Sequence, residues 1–141
     1  MQIIQKDCKN MQSKKNITEL KKIKLFRYQL DEAYQEMQKG KFQAALQKAD
    51  KVMNEIVKMI IQHEYGIGYT LDNISVNIKI CEREQLLGKN KLFVKRLYKV
   101  YLICGRYKVN GAEMITRRKV YFVIMQIKDL INLAESLIVY R

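Results

Sequence analysis

The sequence contains no proline and no tryptophan, and it has only one histidine and six glycines. Without proline, nothing in the chain forces an internal break in a helix, so the glycines are the main residues that mark helix ends. Because there is only one histidine, a Ser-His-Asp or Cys-His catalytic set is difficult to assemble. The missing residue types therefore favour uninterrupted helices and disfavour the familiar nucleophilic enzymes.

Cysteines are few, and long apolar runs are absent. Cys8, Cys81 and Cys104 are scattered and form no CxxC pair, which gives a zinc or thioredoxin-like site no support. The longest uninterrupted apolar run covers residues 120–125, far short of a membrane span. The first residues turn polar at once, so no secretory segment is visible. We expect a cytoplasmic protein with reduced thiols and no membrane association.

What the chain does contain is a globular composition with helical periodicity. It has 141 residues, of which 48% are hydrophobic, enough for one domain with a real core. Apolar residues recur at intervals of three and four in five segments, and no alternating strand pattern competes with them. The sequence predicts an all-α, antiparallel bundle of about five helices over residues 17–141. Residues 1–16 read as an irregular basic arm, whose order the sequence leaves open.

Capping residues and glycines predict where the helices begin and end. The short spacing between the first two helices forces them to run antiparallel. The predicted helices, in chain order, are residues 19–38 between Thr18 and Gly40, a second ending at Gly66, a third between Thr70 and Gly88, a fourth over 91–104, and a fifth that Thr116 caps.

The last predicted helix is apolar over an unusually wide part of its surface. One stripe runs from Val120 to Ile138, and a second stripe runs beside it from Tyr121 to Leu137. A helix of this kind must bury both faces. The pattern predicts a homodimer formed through the last helix, with a central position in the core of a monomer as the alternative.

Positive charge is high and unevenly distributed. The formal net charge is +13, and residues 83–119 alone carry eleven Lys or Arg and two acids. Residues 28–82 carry six Lys or Arg and eight acids. Such asymmetry suggests a polyanionic partner, meaning nucleic acid (RNA or DNA) or an acidic protein surface. The plainer interpretation is a Lys-rich composition that keeps the protein in solution.

The candidate binding residues are the cations that cluster on the fourth helix, in the link after it, and at the start of the fifth helix. Cations at a helix N-terminus oppose the macrodipole, which hints at an anionic partner there. The predicted nucleic-acid-binding residues are Lys91, Lys95, Arg96, Lys99, Arg106, Lys108, Arg117, Arg118 and Lys119.

Residues that could carry catalysis are scarce. His63 lies near the end of the second helix, where we favour an imidazole that interacts with the last carbonyls over a catalytic base. Glu82 and Glu84 read as solvated surface acids. The segment GIGY lacks a preceding strand and a Walker lysine, so it is not a phosphate cradle. We predict no catalytic residue, no metal site and no cofactor.

Two segments resemble HEPN domains: KGKFQAALQKADKVMNEIVKMIIQHEYG and LYKVYLICGRYKVNGAEMITRRKVYFVIMQIKDLINLAESLI. The former segment is similar to the second helix of HEPN domains, and the latter is similar to their closing half. The resemblance as a whole covers about residues 19–139. The resemblance implies an all-α bundle of four or five helices that usually dimerises. Many members are metal-independent ribonucleases, often toxins, defence effectors or partners of nucleotidyltransferases.

The resemblance also implies an active motif in which an Arg is followed, after four to six residues, by a His. Arg106 matches the Arg, but the His would fall at residues 111–113, where none is present. Tyr107 replaces the polar residue that often follows the Arg. Asn110 cannot move a proton near neutral pH, so the catalytic pair is broken. His63 could substitute only if the fold placed it alongside this junction.

Three functions remain open from the sequence. The first is a non-catalytic, HEPN-like protein that binds RNA or DNA through the basic surface of residues 89–119. The second is an antitoxin-like or inhibitory interaction subunit that acts through apolar helix surfaces. The third is a metal-independent ribonuclease that uses Arg106. We favour the first, in the setting of a toxin–antitoxin or defence system.

Overall fold

The fold is built from five α-helices. In this computed structural model the backbone is described for residues 2–66, 72–110 and 115–140, and side chains for residues 16–66, 72–105 and 115–139. No strand occurs within these residues, which confirms the predicted all-α fold. The helices, in chain order, are α1 (Gln2–Gln38), α2 (Phe42–Tyr65), α3 (Ile74–Arg83), α4 (Lys91–Asn110) and α5 (Arg117–Tyr140).

A tight turn joins α1 and α2 and makes them antiparallel, as predicted. Gly40 lies in the turn with φ 79°, a left-handed conformation that is cheap only for glycine. The Lys41 amide donates to the Glu36 carbonyl at 2.9 Å, which satisfies one of the last carbonyls of α1. Helix α5 packs on both members of this hairpin, and α3 and α4 cover the remaining side.

Helix α1 begins at Gln2, so the prediction of an irregular backbone before residue 17 was wrong for residues 2–16. Thr18 lies inside the helix and does not cap it. The physical reason is that no glycine or proline occurs before Gly40, and therefore nothing breaks the helix at the threonine.

Helix α3 is shorter than predicted at both ends. Its N-cap is Asn73, whose Oδ1 accepts from the amides of Ser75 at 3.1 Å and Val76 at 3.4 Å. The predicted cap, Thr70, lies outside the described residues. At the other end the helix stops at Arg83, and not at Gly88.

The early stop of α3 is a Schellman motif built without glycine. Gln85 takes the left-handed position, with φ 55°. Its amide donates to the Glu82 carbonyl at 3.1 Å, and the Leu86 amide donates to the Cys81 carbonyl at 2.9 Å. Leu86 and Cys81 are both buried in the core, and this burial compensates for the unfavourable φ.

Helix α5 is the central element of the bundle. Every member of its first apolar stripe is buried, and Val123 and Leu130 of the second stripe are fully buried. Leu133 and Leu137 are partly buried against the core, and Tyr121 is 48% exposed. A central position within one chain therefore accounts for most of the apolar excess that suggested a dimer. The homodimer through the last helix stays a prediction.

Helix α4 buries one stripe, and its opposite side is exposed over the residues whose side chains are described. Leu97 and Val100 are fully buried, whereas Leu92 is 62% exposed and Leu102 is 51% exposed. The helix also continues six residues beyond its predicted end, because Gly105 lies within it without breaking it. In the described parts of the chain, no helix combines the length and the apolar character that crossing a membrane requires.

Candidate nucleic-acid interface

The exposed side of α4 carries a row of lysines. Lys91, Lys95 and Lys99 are exposed and follow one another at intervals of four residues, so they lie on one side of the helix. Each step rises by about 6 Å, which makes the row about 12 Å long. The buried stripe of α4 fixes this orientation, because it turns the opposite side of the helix into solvent.

The first turn of α5 presents three further cations. The Lys119 amide donates to Thr116 Oγ1 at 3.2 Å, so Thr116 is the N-cap, as predicted. Arg117, Arg118 and Lys119 are exposed in the turn that follows. They lie at the positive end of the helix macrodipole, where cations are unfavourable and an anion is favoured.

A ring contact shows that the two groups of cations adjoin. The Lys99 Nζ lies 5.0 Å from the centroid of the Phe122 ring. Phe122 follows Arg118 by four residues and Lys119 by three, which puts all three on one side of α5. The lysine row of α4 therefore meets the start of α5. We call Lys91, Lys95, Arg96, Lys99, Arg118 and Lys119 the cationic seam.

Arg117, although predicted with this group, points elsewhere. Its guanidinium lies 5.5 Å from the centroid of the Phe42 ring, and Nη1 is 3.5 Å from Gln38 Oε1. Both contacts lie at the turn between α1 and α2. Arg117 therefore ties the start of α5 to that turn, and the structure separates it from the seam.

Arg96 is the one half-buried member of the seam. Its Nε is shielded from solvent and has no hydrogen-bond partner among the described residues. On α5, the Oε1 atom of the buried Gln126 also lacks a hydrogen-bond partner among the described residues. An unsatisfied buried donor costs about 1–3 kcal/mol. The Nε of Arg96 therefore adds a small cost to the folded state.

Elsewhere on the bundle, three described cations lie beside acids of another helix or segment. Arg27 Nη2 lies 3.2 Å from Glu135 Oε2, and Lys58 Nζ lies 3.0 Å from Asp72 Oδ1. Lys48 Nζ lies within 4.0 Å of carboxylate oxygens on two residues of α1. Among the residues that the structure describes, no carboxylate lies that close to Arg118 or to the four α4 members of the seam. The exposed members Lys91, Lys95, Lys99 and Arg118 therefore present their charge to solvent.

Two predicted binding residues, Arg106 and Lys108, have side chains outside the described residues. Their backbone belongs to the last turns of α4, which ends at Asn110. The expected polar link thus begins later than predicted, and Arg106 lies on a helix. Residues 111–114, where the family motif would require its histidine, are also outside the described residues.

His63 is held by a carboxylate from another helix. Its Nδ1 lies 2.6 Å from Glu19 Oε2, and both side chains are more than nine-tenths buried. We predicted an interaction with the last carbonyls of α2, and Glu19 was not anticipated. The two residues are 44 positions apart and lie on different helices, so the pattern within either helix does not reveal the pairing.

His63 cannot replace the missing histidine of the family motif within one chain. The start of α5 contacts Phe42, the first residue of α2, through Arg117. His63 lies 21 residues further along the same helix, a distance of about 30 Å. The imidazole and the junction between α4 and α5 are therefore at opposite ends of α2.

Among the described residues, the buried Cys81 is poorly suited to act as a nucleophile. Burial raises the pKa of the Cys81 thiol to about 12, so the thiol stays protonated and weakly nucleophilic near neutral pH. The described residues hold no cluster of His, Cys, Asp or Glu that could bind a metal ion. What the site offers is a row of outward-facing cations on a rigid helical support.

Comparison with protein-family models, with curated proteins and with solved structures found no match to this chain. The resemblance to HEPN domains is therefore supported by no relative, and it stays a prediction.

Proposed function

We propose that this protein is a non-catalytic binder of RNA or DNA that holds the phosphate backbone along the cationic seam. The observation that carries the proposal is the group of exposed cations on α4 and at the start of α5, where no carboxylate of the described residues lies within 4.0 Å of Arg118 or of the four α4 members. Members of the seam adjoin across two helices, as Lys99 on the ring of Phe122 indicates.

The energetics favour a polyanion as the missing partner. Like charges that crowd one surface repel each other and destabilise the compact state. A nucleic acid relieves that repulsion and releases its condensed counterions, so its affinity for the seam falls steeply with salt.

The seam is suited to holding a backbone and not to reading bases. Three of its four α4 members are lysines, which act on phosphates as point charges. Phosphate contacts position a protein on a nucleic acid without conveying sequence. We therefore expect little sequence preference, with any discrimination coming from the shape of the nucleic acid.

The two alternatives have less support. A metal-independent ribonuclease needs a proton-transferring group beside Arg106, and His63 lies at the other end of α2. An interaction subunit that acts through α5 loses most of its proposed surface, because both apolar stripes of that helix are largely covered within the chain. The resemblance to HEPN domains adds a proposed setting, a toxin–antitoxin or defence system.

An electrophoretic mobility shift tests the proposal. Single-stranded and double-stranded RNA and DNA are titrated with the protein at 50 mM NaCl and again at 300 mM NaCl. We expect binding at the lower concentration and a large loss at the higher. The variant Lys95→Gln/Lys99→Gln should lose most of the binding.

A matched control removes the same amount of charge away from the seam. Lys51 on α2 and Lys79 on α3 are exposed lysines, and the variant Lys51→Gln/Lys79→Gln should bind almost as well as the wild type. Absence of any shift at 50 mM NaCl, or equal weakening in the two variants, would rule the proposal out. Cleavage of RNA that disappears in Arg106→Ala would support the ribonuclease instead.

A further inference from the structure

A groove lies between α1 and α5, outside the cationic seam. Its volume is about 570 Å³, which is within the range of small-molecule sites. Its floor is apolar: Leu30, Ile124 and Ile131 line it and are each at least 95% buried. The groove is therefore a preformed apolar depression in the surface of the bundle.

The two ends of the groove differ in chemistry. Arg117 contacts Gln38 at one end of α1, and Arg27 contacts Glu135 further back, so the two helices run antiparallel along the groove. Tyr34 and Tyr121 therefore lie toward the first end, with 38% and 48% of their surfaces exposed. The cations that line the groove lie toward the other end.

The charges at that second end are not equivalent. Arg27 is already paired with Glu135. Lys128 is exposed, and among the described residues no carboxylate lies within 4.0 Å of its Nζ. Asp31 is also exposed, and its Oδ2 accepts a hydrogen bond from Gln35 at 3.3 Å. Lys128 is thus the cation left to meet a ligand, and Asp31 is the group that opposes an anion.

We propose that this groove binds a small amphipathic anion, a free carboxylate with a medium-length apolar chain. The apolar chain lies on the floor and between the two tyrosines, and the carboxylate lies beside Lys128. This site is independent of the proposed nucleic-acid binding, since no member of the seam lines the groove.

A second copy of the chain fits the groove less well. The walls span about 10 Å on α1 and about 15 Å on α5, and packed helices lie about 10 Å apart. That strip is several times smaller than the roughly 800 Å² per partner that stable interfaces bury. A net charge of +13 also opposes self-association.

The test uses a tryptophan reporter, because the natural chain contains no tryptophan. Tyr121→Trp places a single fluorophore in the groove wall, and Tyr34→Trp serves if the first variant does not fold. Octanoate, octanol and octylammonium are titrated separately, since they share a chain and differ in charge. We expect saturable fluorescence changes, with octanoate bound most tightly and octylammonium least.

Charge variants in the reporter background locate the head group. Lys128→Gln should weaken octanoate by about threefold and leave octanol unchanged, and Asp31→Asn should strengthen octanoate by a similar factor. Lys99→Gln, which removes the same charge from the seam, should have no effect. The proposal is overturned if the signal does not saturate, if octanol binds as tightly as octanoate, or if Lys99→Gln weakens octanoate as much as Lys128→Gln does.

Discussion

The α1–α2 hairpin and the α4–α5 pair each bury an apolar stripe, yet they differ in where their charged side chains find partners. On the hairpin, Lys48 and Lys58 lie beside carboxylates, and His63 is paired with Glu19 in the interior. On α4, the lysine row faces solvent without such partners among the described residues.

This difference distinguishes charged groups that stabilise the fold from charged groups that do not. A paired charge contributes little at the surface and more when it is buried. Crowded unpaired cations oppose folding, and a helix N-terminus increases that opposition. Removing a paired group of the hairpin should therefore destabilise the fold, whereas removing a lysine of the α4 row should not, which the following changes test.

The largest effect is expected inside the hairpin. His63→Ala leaves the buried Glu19 carboxyl without this partner, and we expect a loss of about 3 kcal/mol in the free energy of unfolding. Urea denaturation followed by circular dichroism measures it. His63→Gln, which retains a side-chain donor, should recover part of the loss. A change below 0.5 kcal/mol, the scatter of surface substitutions, would mean that the pair does not support the hairpin.

The next largest effect is expected at Cys81, a buried residue of α3, and it depends on pH. Burial raises the pKa of Cys81 to about 12 in the folded chain, above the ordinary thiol value near 9. The stability that this shift provides is complete below pH 9 and is lost as pH rises toward 12, by up to about 2 kcal/mol at pH 10.5. Urea midpoints at pH 8 and pH 10.5 should therefore fall more in the wild type than in Cys81→Ala. Equal falls would contradict a buried, protonated thiol.

The start of α5 should show a trade between stability and binding. Thr116→Ala removes the cap and should cost about 1 kcal/mol. Thr116→Asp adds a carboxylate beside three cations, so it should stabilise the chain by several tenths of a kcal/mol and weaken nucleic-acid binding. Thermal melting and the mobility shift measure the two sides. If Thr116→Asp strengthened binding, the cations of this turn would not be facing the partner.

The smallest effects compare surface lysines directly. Lys48→Gln removes contacts to Glu32 and Glu36 and should cost about 0.5 kcal/mol. Lys95→Gln should be neutral or slightly stabilising, because it relieves repulsion. Both are measured by urea denaturation in low salt, and 0.5 M NaCl should diminish the difference. The reverse order would remove the distinction between the two regions.

Sequence periodicity predicted the helices well where a residue type leaves little choice. Gly40 and Thr116 marked true helix ends, since one supplies a left-handed turn and the other an acceptor for a free amide. Thr18 resembled a cap equally well but lies inside α1. Gln85 ends α3 without glycine, because Leu86 anchors the turn in the core. Propensity alone does not reveal such tertiary support.

The sequence predicted which residues belong to the candidate site, but it did not predict where each side chain points. The lysine row of α4 followed from spacing. The diversion of Arg117 toward Phe42 did not, because it depends on how the start of α5 packs against the turn between α1 and α2. The pairing of His63 with Glu19 and the groove between α1 and α5 are also tertiary, since each joins segments that are distant in sequence.

The most direct test of the central claim is the salt dependence of binding to a labelled single-stranded RNA, followed by fluorescence anisotropy. Each phosphate contact contributes about 0.7 to the slope of log affinity against log salt concentration. The Lys95→Gln/Lys99→Gln variant should lower that slope by about 1.4, and the Lys51→Gln/Lys79→Gln control should leave it unchanged. An equal slope in all three proteins would contradict the account, because the phosphates would then not lie on α4.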